Sequence, residues 1–210
     1  MVNRRRSERA QPNKRGYGQY CALAKALDVI GDRWTLLVVR DLLLGPLRFA
    51  DLRTELAGIP SNLLAARLER LQEHGLVRKL EPEGYELTAE GRELEPVLFA
   101  LGDFGSRYVA AGPQRGDRGH PRWAVLSCKR RFTGSRRAGT LELDVDGSPF
   151  EVELGRKRMH VRAGRPRQPD AVLRAPLPTF VARANGRASS GGEVEGDADL
   201  VAAFFESLRA

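Results

Sequence analysis

Asn62, Arg67 and Arg70 lie close together in the stretch SNLLAARLER, away from the line of Leu64, Leu68 and Leu71. An asparagine amide can pair bidentately with adenine and an arginine guanidinium with guanine, so these three are candidate base readers in a DNA major groove. Ser61, Arg48, Arg78 and Lys79 flank the same stretch. They are candidate phosphate contacts, which set register without reading sequence. Arg67 has an alternative role, because its wheel position is near the apolar side: a structural ion pair with Glu55 or Glu73.

Cys21 offers a different chemistry. It stands at the start of a helical stretch, where the helix dipole lowers a thiol pKa and favours the thiolate, so it is a candidate redox switch. The simpler account is a small apolar core residue. Cys128 reads as structural. Enzymatic chemistry finds little footing. His74, His120 and His160 are isolated, with no His or Cys pair at metal-ligand spacing. There is no G-x-S-x-G elbow, P-loop or G-x-G-x-x-G. No catalytic residue, metal or cofactor is expected. Asp144 and Asp146 fall on a strand end and a turn and read as solvated.

The candidate readers need a frame, and residues 48–79 supply it. Phe49, Leu52 and Leu56 recur at helical spacing, Gly58 and Pro60 form a turn, and Ser61 is a candidate N-cap for a second helix. Gly75 closes that helix as a C′ residue. VRKLEPEGYELT then reads as two short strands around a turn, a basic hairpin placed as a wing. Helix, turn, second helix and wing make a winged helix-turn-helix. Upstream, QYCALAKALDVIG is a helix with Cys21, Ala24, Leu27 and Ile30 on one side, and Asp32 can cap the mostly apolar helix RWTLLVVRDLLLG. Downstream, Thr88 can cap a long helix whose stripe is Leu94, Val97, Leu98, Leu101, Phe104 and Tyr108. Pro96 kinks that helix or marks its true start. One chain needs only part of the stripe for its own core. The remainder, with the helix containing Cys21, is available to a second subunit, as two-fold reading of DNA half-sites requires.

Gly112 to Gly119 is a Gly/Arg-rich break and the best domain boundary. Beyond it Trp123 to Phe132 reads as a helix. Leu141, Leu143 and Val145 alternate, and after the Asp146-Gly147 turn Phe150, Val152 and Leu154 repeat the pattern. Strands at Lys157–Val161, Asp170–Leu173 and Gly192–Gly196, and helices at Leu177–Ala184 and from Leu200 to Leu208, complete an α+β domain with one antiparallel sheet. The expected division is a basic arm over 1–19, a winged-helix and dimerisation domain over 20–112, a linker over 113–120 and an α+β domain over 121–210.

Composition adds bounds. The net charge is +8, but the span 21–112 carries 11 basic and 14 acidic side chains, so its positive charge must be placed locally. The arm holds six basic residues and one acidic one in its first 20 positions; a solubilising tail and a DNA-contacting arm both fit. Two distant cysteines make no disulfide framework. No run approaches the ~18 apolar residues of a membrane span, and no apolar signal core opens the chain, so a cytoplasmic protein is expected.

From Tyr20 to about Ala111 the chain resembles the HxlR family of bacterial winged-helix regulators. The carrying residues are Cys21 through Gly31-Asp32-Arg33-Trp34-Thr35, Gly45-Pro46-Leu47-Arg48-Phe49, Ile59 to Leu76, and Leu87-Thr88-Ala89-Glu90-Gly91. The resemblance implies a homodimer on inverted-repeat double-stranded DNA, regulating transcription and often repressing it; some such regulators use a cysteine at the Cys21 position as a thiol switch. One departure is a short wing. Residues from about 121 to 210 look like a sterol-carrier-protein-type domain, on Gly147 and Gly155 between strands, Pro169-Asp170, the Leu177–Gly186 helix and Gly192 to Asp197. That likeness implies either an apolar tunnel between sheet and helices for an apolar small molecule or lipid, or an empty domain used for assembly. A lipid carrier with an N-terminal protein-docking module is the competing function.

Overall fold

The computed structural model describes residues 16–82, 84–109 and 112–209; most of the basic arm lies outside them. The N-terminal part runs α1 (Ala22–Ile30), α2 (Thr35–Leu42), α3 (Phe49–Glu55), α4 (Ser61–Glu73), β1 (Val77–Lys79), β2 (Tyr85–Leu87), α5 (Ala89–Arg92) and α6 (Glu95–Val109). Helix α2 is central because two of its sides are apolar: Val38, Val39 and Leu42 are fully buried, with Leu52, Leu64, Leu68 and Leu71 in the same cluster. Burying each such leucine contributes about 1.5–3 kcal/mol relative to leaving it exposed. The leucine stripe of α4 therefore orients that helix.

Local chemistry sets the element ends. Helix α4 closes in a Schellman turn: Gly75 takes φ +70°, its N–H donates to Gln72, and Leu76 N–H reaches back to Leu71. Thr88 caps α5, its hydroxyl oxygen accepting from Gly91 N–H at 3.0 Å. The hydroxyl also donates to the Gly75 carbonyl at 2.6 Å, fastening the wing's exit to the end of α4. Two expectations change, and a third is decided. Pro60, not Ser61, is the N-cap of α4, so Ser61 is its first helical residue. Asp32 does not cap α2. The cap position falls to Trp34 at φ +80°, and the Asp32 carboxylate is drawn away to Arg67 and Arg70. Pro96 marks a true start and not a kink, since α6 begins at Glu95, where a missing N–H costs little.

The C-terminal part contains α7 (Pro121–Arg131), β3 (Gly139–Val145), β4 (Ser148–Leu154), β5 (Met159–Ala163), β6 (Ala171–Ala175), α8 (Leu177–Ala184), β7 (Glu193–Gly196) and α9 (Ala198–Glu206). It is an α+β arrangement of one five-stranded sheet in the order β5-β4-β3-β6-β7. The β3–β4 hairpin closes at Asp146 and Gly147, both at positive φ as a type I′ turn requires. The sheet is not wholly antiparallel, contrary to the sequence-based expectation: β6 pairs parallel to β3. After β5 the chain crosses to the far side of β3 through residues 164–170, and this crossover leaves no trace in the alternation of β6. Leu141, Leu143, Val152, Leu173, Phe180 and Phe204 are all fully buried and fill the space between the sheet and its helices.

The opposite sheet face is charged, yet partly covered. Glu142 and Glu151 face each other across β3 and β4, a like-charged pair offset by arginines on either side. Arg165 bonds Glu142 and, at 2.9 Å, Asp144, while Arg162 grips Glu151 through two contacts of 2.8 Å. Asp144 is buried by this cover and is not the solvated side chain expected.

A polar knot joins the two parts. Asp41 of α2 is 0 % exposed and accepts from Arg40 at 2.8 and 3.0 Å and from Trp123 Nε1 at 2.8 Å. Arg122, at the start of α7, donates to the carbonyls of Asp41 and Gly45. Arg40 also stacks over the Trp123 ring, 4.2 Å from its centroid. Beside them Nδ1 of His120 accepts from Arg122 N–H at 3.3 Å and lies 3.0 Å from Glu55 Oε2. Burial, then the Asp41 charge, pushes Glu55 up to about 6, and burial holds His120 below its ordinary value. Among the described residues no helix is long and apolar enough to cross a membrane.

Candidate nucleic-acid interface

Helix α4 buries Leu64, Leu68 and Leu71 and leaves Ser61, Asn62, Ala65, Ala66 and Glu69 exposed. Its first turn is therefore a short, polar, uncrowded surface that can approach a groove floor. Ser61 Oγ accepts from Arg53 Nη1 of α3 at 3.3 Å. Arg53 is a cation at this helix start that sequence reading passed over; its exposed position on α3, eight residues before Ser61, was the available signal. Arg48 is exposed just before α3, where its backbone N–H donates to Asp51 at 3.3 Å.

Arg67 and Arg70 are placed differently from Asn62. Both are partly buried and turn back onto the α1–α2 junction. Arg67 donates to the Arg33 carbonyl at 3.2 Å and pairs with Asp32 at 3.2 Å. Arg70 bonds the Asp28 carbonyl and stands 3.8 Å from Asp32. The partner of Arg67 is thus Asp32, neither Glu55 nor Glu73. In the wing, Arg78 is held by its cross-strand neighbour Glu86 at 2.6 Å. Lys79 is exposed and has no carboxylate partner among the described residues. Leu47 adds a third strand-like segment, exchanging backbone bonds of 3.1 and 2.8 Å with Tyr85.

Two further surfaces matter. The expected stripe divides: Leu94, just before α6, and Leu98 pack inward, while Val97, Leu101, Phe104 and Tyr108 are exposed, the last two at 55 % and 66 %. Tyr17, Tyr20, Leu23 and Leu27, in and before α1, are exposed as well, and Ala24 and Ile30 are that helix's buried residues. The expected side of Cys21, Ala24, Leu27 and Ile30 is therefore split between buried and exposed residues. Cys21 occupies the N-cap position of α1 and is exposed; backbone N–H groups of Ala24 and Leu23 lower its thiol pKa. Cys128 is buried and its thiol is pushed up to about 12, which leaves it inert.

Residues 29–113 match the family model described as HxlR-like helix-turn-helix. An HTH-type transcriptional regulator of Synechocystis, sll1512, is 36% identical over 98 residues, spanning 44% of this chain and 73% of the relative. A regulator of Mycobacterium tuberculosis, Rv3095, is 37% identical over 94 residues, and there the chain spans 59% of the relative's length. The quinone-bound YodB of B. subtilis is 27% identical, covering 40% of this chain and 96% of that one, at a TM-score of 0.38. With its recognition helix, wing and matched sequence in one continuous span, the chain belongs to the HxlR-like helix-turn-helix family of DNA-binding transcriptional regulators.

Proposed function

We propose that the protein binds inverted-repeat operators as a homodimer and represses transcription, with α4 of each subunit entering successive major grooves about 34 Å apart. The observation that carries this reading is the bare first turn of α4, with Asn62 exposed above a fully buried leucine stripe. In it, Asn62 reads a base edge. Ser61, Arg48, Arg53, Arg78 and Lys79 position the phosphates. Arg67 and Arg70 hold α4 in place through Asp32, and they reach DNA only at the edge of the contact. Val97, Leu101, Phe104 and Tyr108 of α6 and the uncovered apolar residues of α1 form the subunit interface. Cys21, exposed and with a lowered pKa, is a thiol switch. Unmodified Cys21 and unchanged DNA binding after mild oxidant, read by mass spectrometry and gel shift, would remove it.

The C-terminal part is, in this proposal, a sterol-carrier-like domain in its packed form, an assembly and effector module. Support comes from the large side chains that fill the space between sheet and helices.

The test is selection of bound sequences from random duplex DNA, followed by two variants. Asn62→Ala relaxes the preference at one base position, at a cost of about 1–3 kcal/mol. Lys79→Ala weakens all sequences alike and flattens the salt slope by about one unit. A protein that enriches no sequence, or a Lys79 variant that changes which base is preferred, is incompatible with these roles.

A further inference from the structure

The junction between the two parts holds an open cleft of about 810 Å³, bounded by α6, α7, α8 and the residues near the chain's end. That is within the ~300–1,000 Å³ of small-molecule sites. Its charge is one-sided. Among the described residues, Arg107, Arg130, Arg131, Arg187 and Arg209 line it against the single carboxylate of Asp103. Asp103 is already engaged by Arg130 and, at 2.9 and 3.0 Å, by Arg209. Arg107 and Arg187 have no carboxylate partner among the described residues. Arg131 is only 9 % exposed; its Nη1 holds Asn185 Oδ1 at 3.1 Å, and its Nε is buried without an acceptor. Between these cations Val109, Val181 and Ala184 supply an apolar wall.

Guanidinium groups converging on a partly desolvated space repel one another, and a bound anion offsets that repulsion with charge-assisted hydrogen bonds. The apolar wall would bind an alkyl or aryl body. We propose that this cleft is a binding site for an amphiphilic monocarboxylate, with its head among the arginines and its body along α8 and the end of α6. The ligand lies outside the filled interior between sheet and helices. It deepens the effector part of the function proposed above, yet its binding needs neither DNA nor a second chain.

Isothermal titration of the full-length protein with sodium octanoate tests this, with octanol and acetate as tail-only and head-only probes. Octanoate saturates one site per chain, and octanol and acetate bind at least about tenfold more weakly. The double variant Arg107→Gln/Arg187→Gln, both exposed positions, weakens octanoate by at least about tenfold. Val194→Glu, at an exposed apolar position on the edge strand β7 outside the cleft, leaves octanoate binding unchanged and so separates the cleft from adsorption on apolar surface. Absence of octanoate binding, octanol binding as tightly as octanoate, or an unaffected arginine variant would each overturn the proposal, and none of them bears on DNA recognition.

Discussion

The knot at Asp41 and the apolar surface on α6 are both places where this chain presents material for contact, and they are opposite in kind. The knot is polar and closed: Asp41 is 0 % exposed, and its oxygens are met by Arg40 and Trp123 of the same chain. The α6 surface is apolar and open, with Leu101, Phe104 and Tyr108 facing solvent. A buried charge needs partners of defined geometry, so the chain supplies them itself. An exposed apolar patch needs only water excluded, which a second copy can do. The contrast identifies which contact holds the two parts of one chain and which is offered outward.

Breaking the closed contact should have the largest effect. Asp41→Ala leaves Arg40 and Trp123 Nε1 without their acceptor and is expected to lower unfolding stability by about 3 kcal/mol, read by urea denaturation. Breaking the open contact should act on association instead. Phe104→Glu is expected to weaken the dimer by about 2 kcal/mol, seen by analytical ultracentrifugation, with the unfolding of the isolated subunit little changed. A variant that lost stability but remained dimeric would reverse the contrast.

A smaller effect sharpens the knot. Glu55 is raised to about 6 in the folded chain, so between its ordinary range and pH 6 the folded state holds the extra proton. Its contribution to stability is then present at low pH and declines as pH rises through about 6, by on the order of 1 kcal/mol. His120 is shifted downward and acts with the opposite sign, gaining stability as it becomes neutral. Glu55→Gln should therefore remove the decline and leave the His120 rise. Chemical denaturation of both proteins from pH 4.5 to 7.5 would show it, and parallel curves would exclude a raised Glu55 as the source of the decline.

Much of this molecule is legible in short-range pattern. The leucines of α4 and the alternating strands β3 and β4 follow from periodicity, because each element gathers its apolar side chains on one face whatever its neighbour is. The Thr88 cap and the Gly75 closure are local as well, since the donor and acceptor are within a few residues. Asn62 could be placed on the outer face by the same wheel. Arg67 and Arg70 could not be placed, because their partner Asp32 is more than thirty positions away and either direction of the guanidinium fits the wheel.

What the chain's order of residues determined by itself was the set of elements, their buried faces and the family to which its first half belongs. Tertiary structure alone decided that β6 runs parallel to β3, that Asp41 meets Arg122 and Trp123 across about eighty residues, and that five arginines converge on one cleft. The physical reason is range. Backbone hydrogen bonds and amphipathic periods are satisfied within a few residues, whereas buried charges and crossover connections are fixed only when distant segments exclude water together.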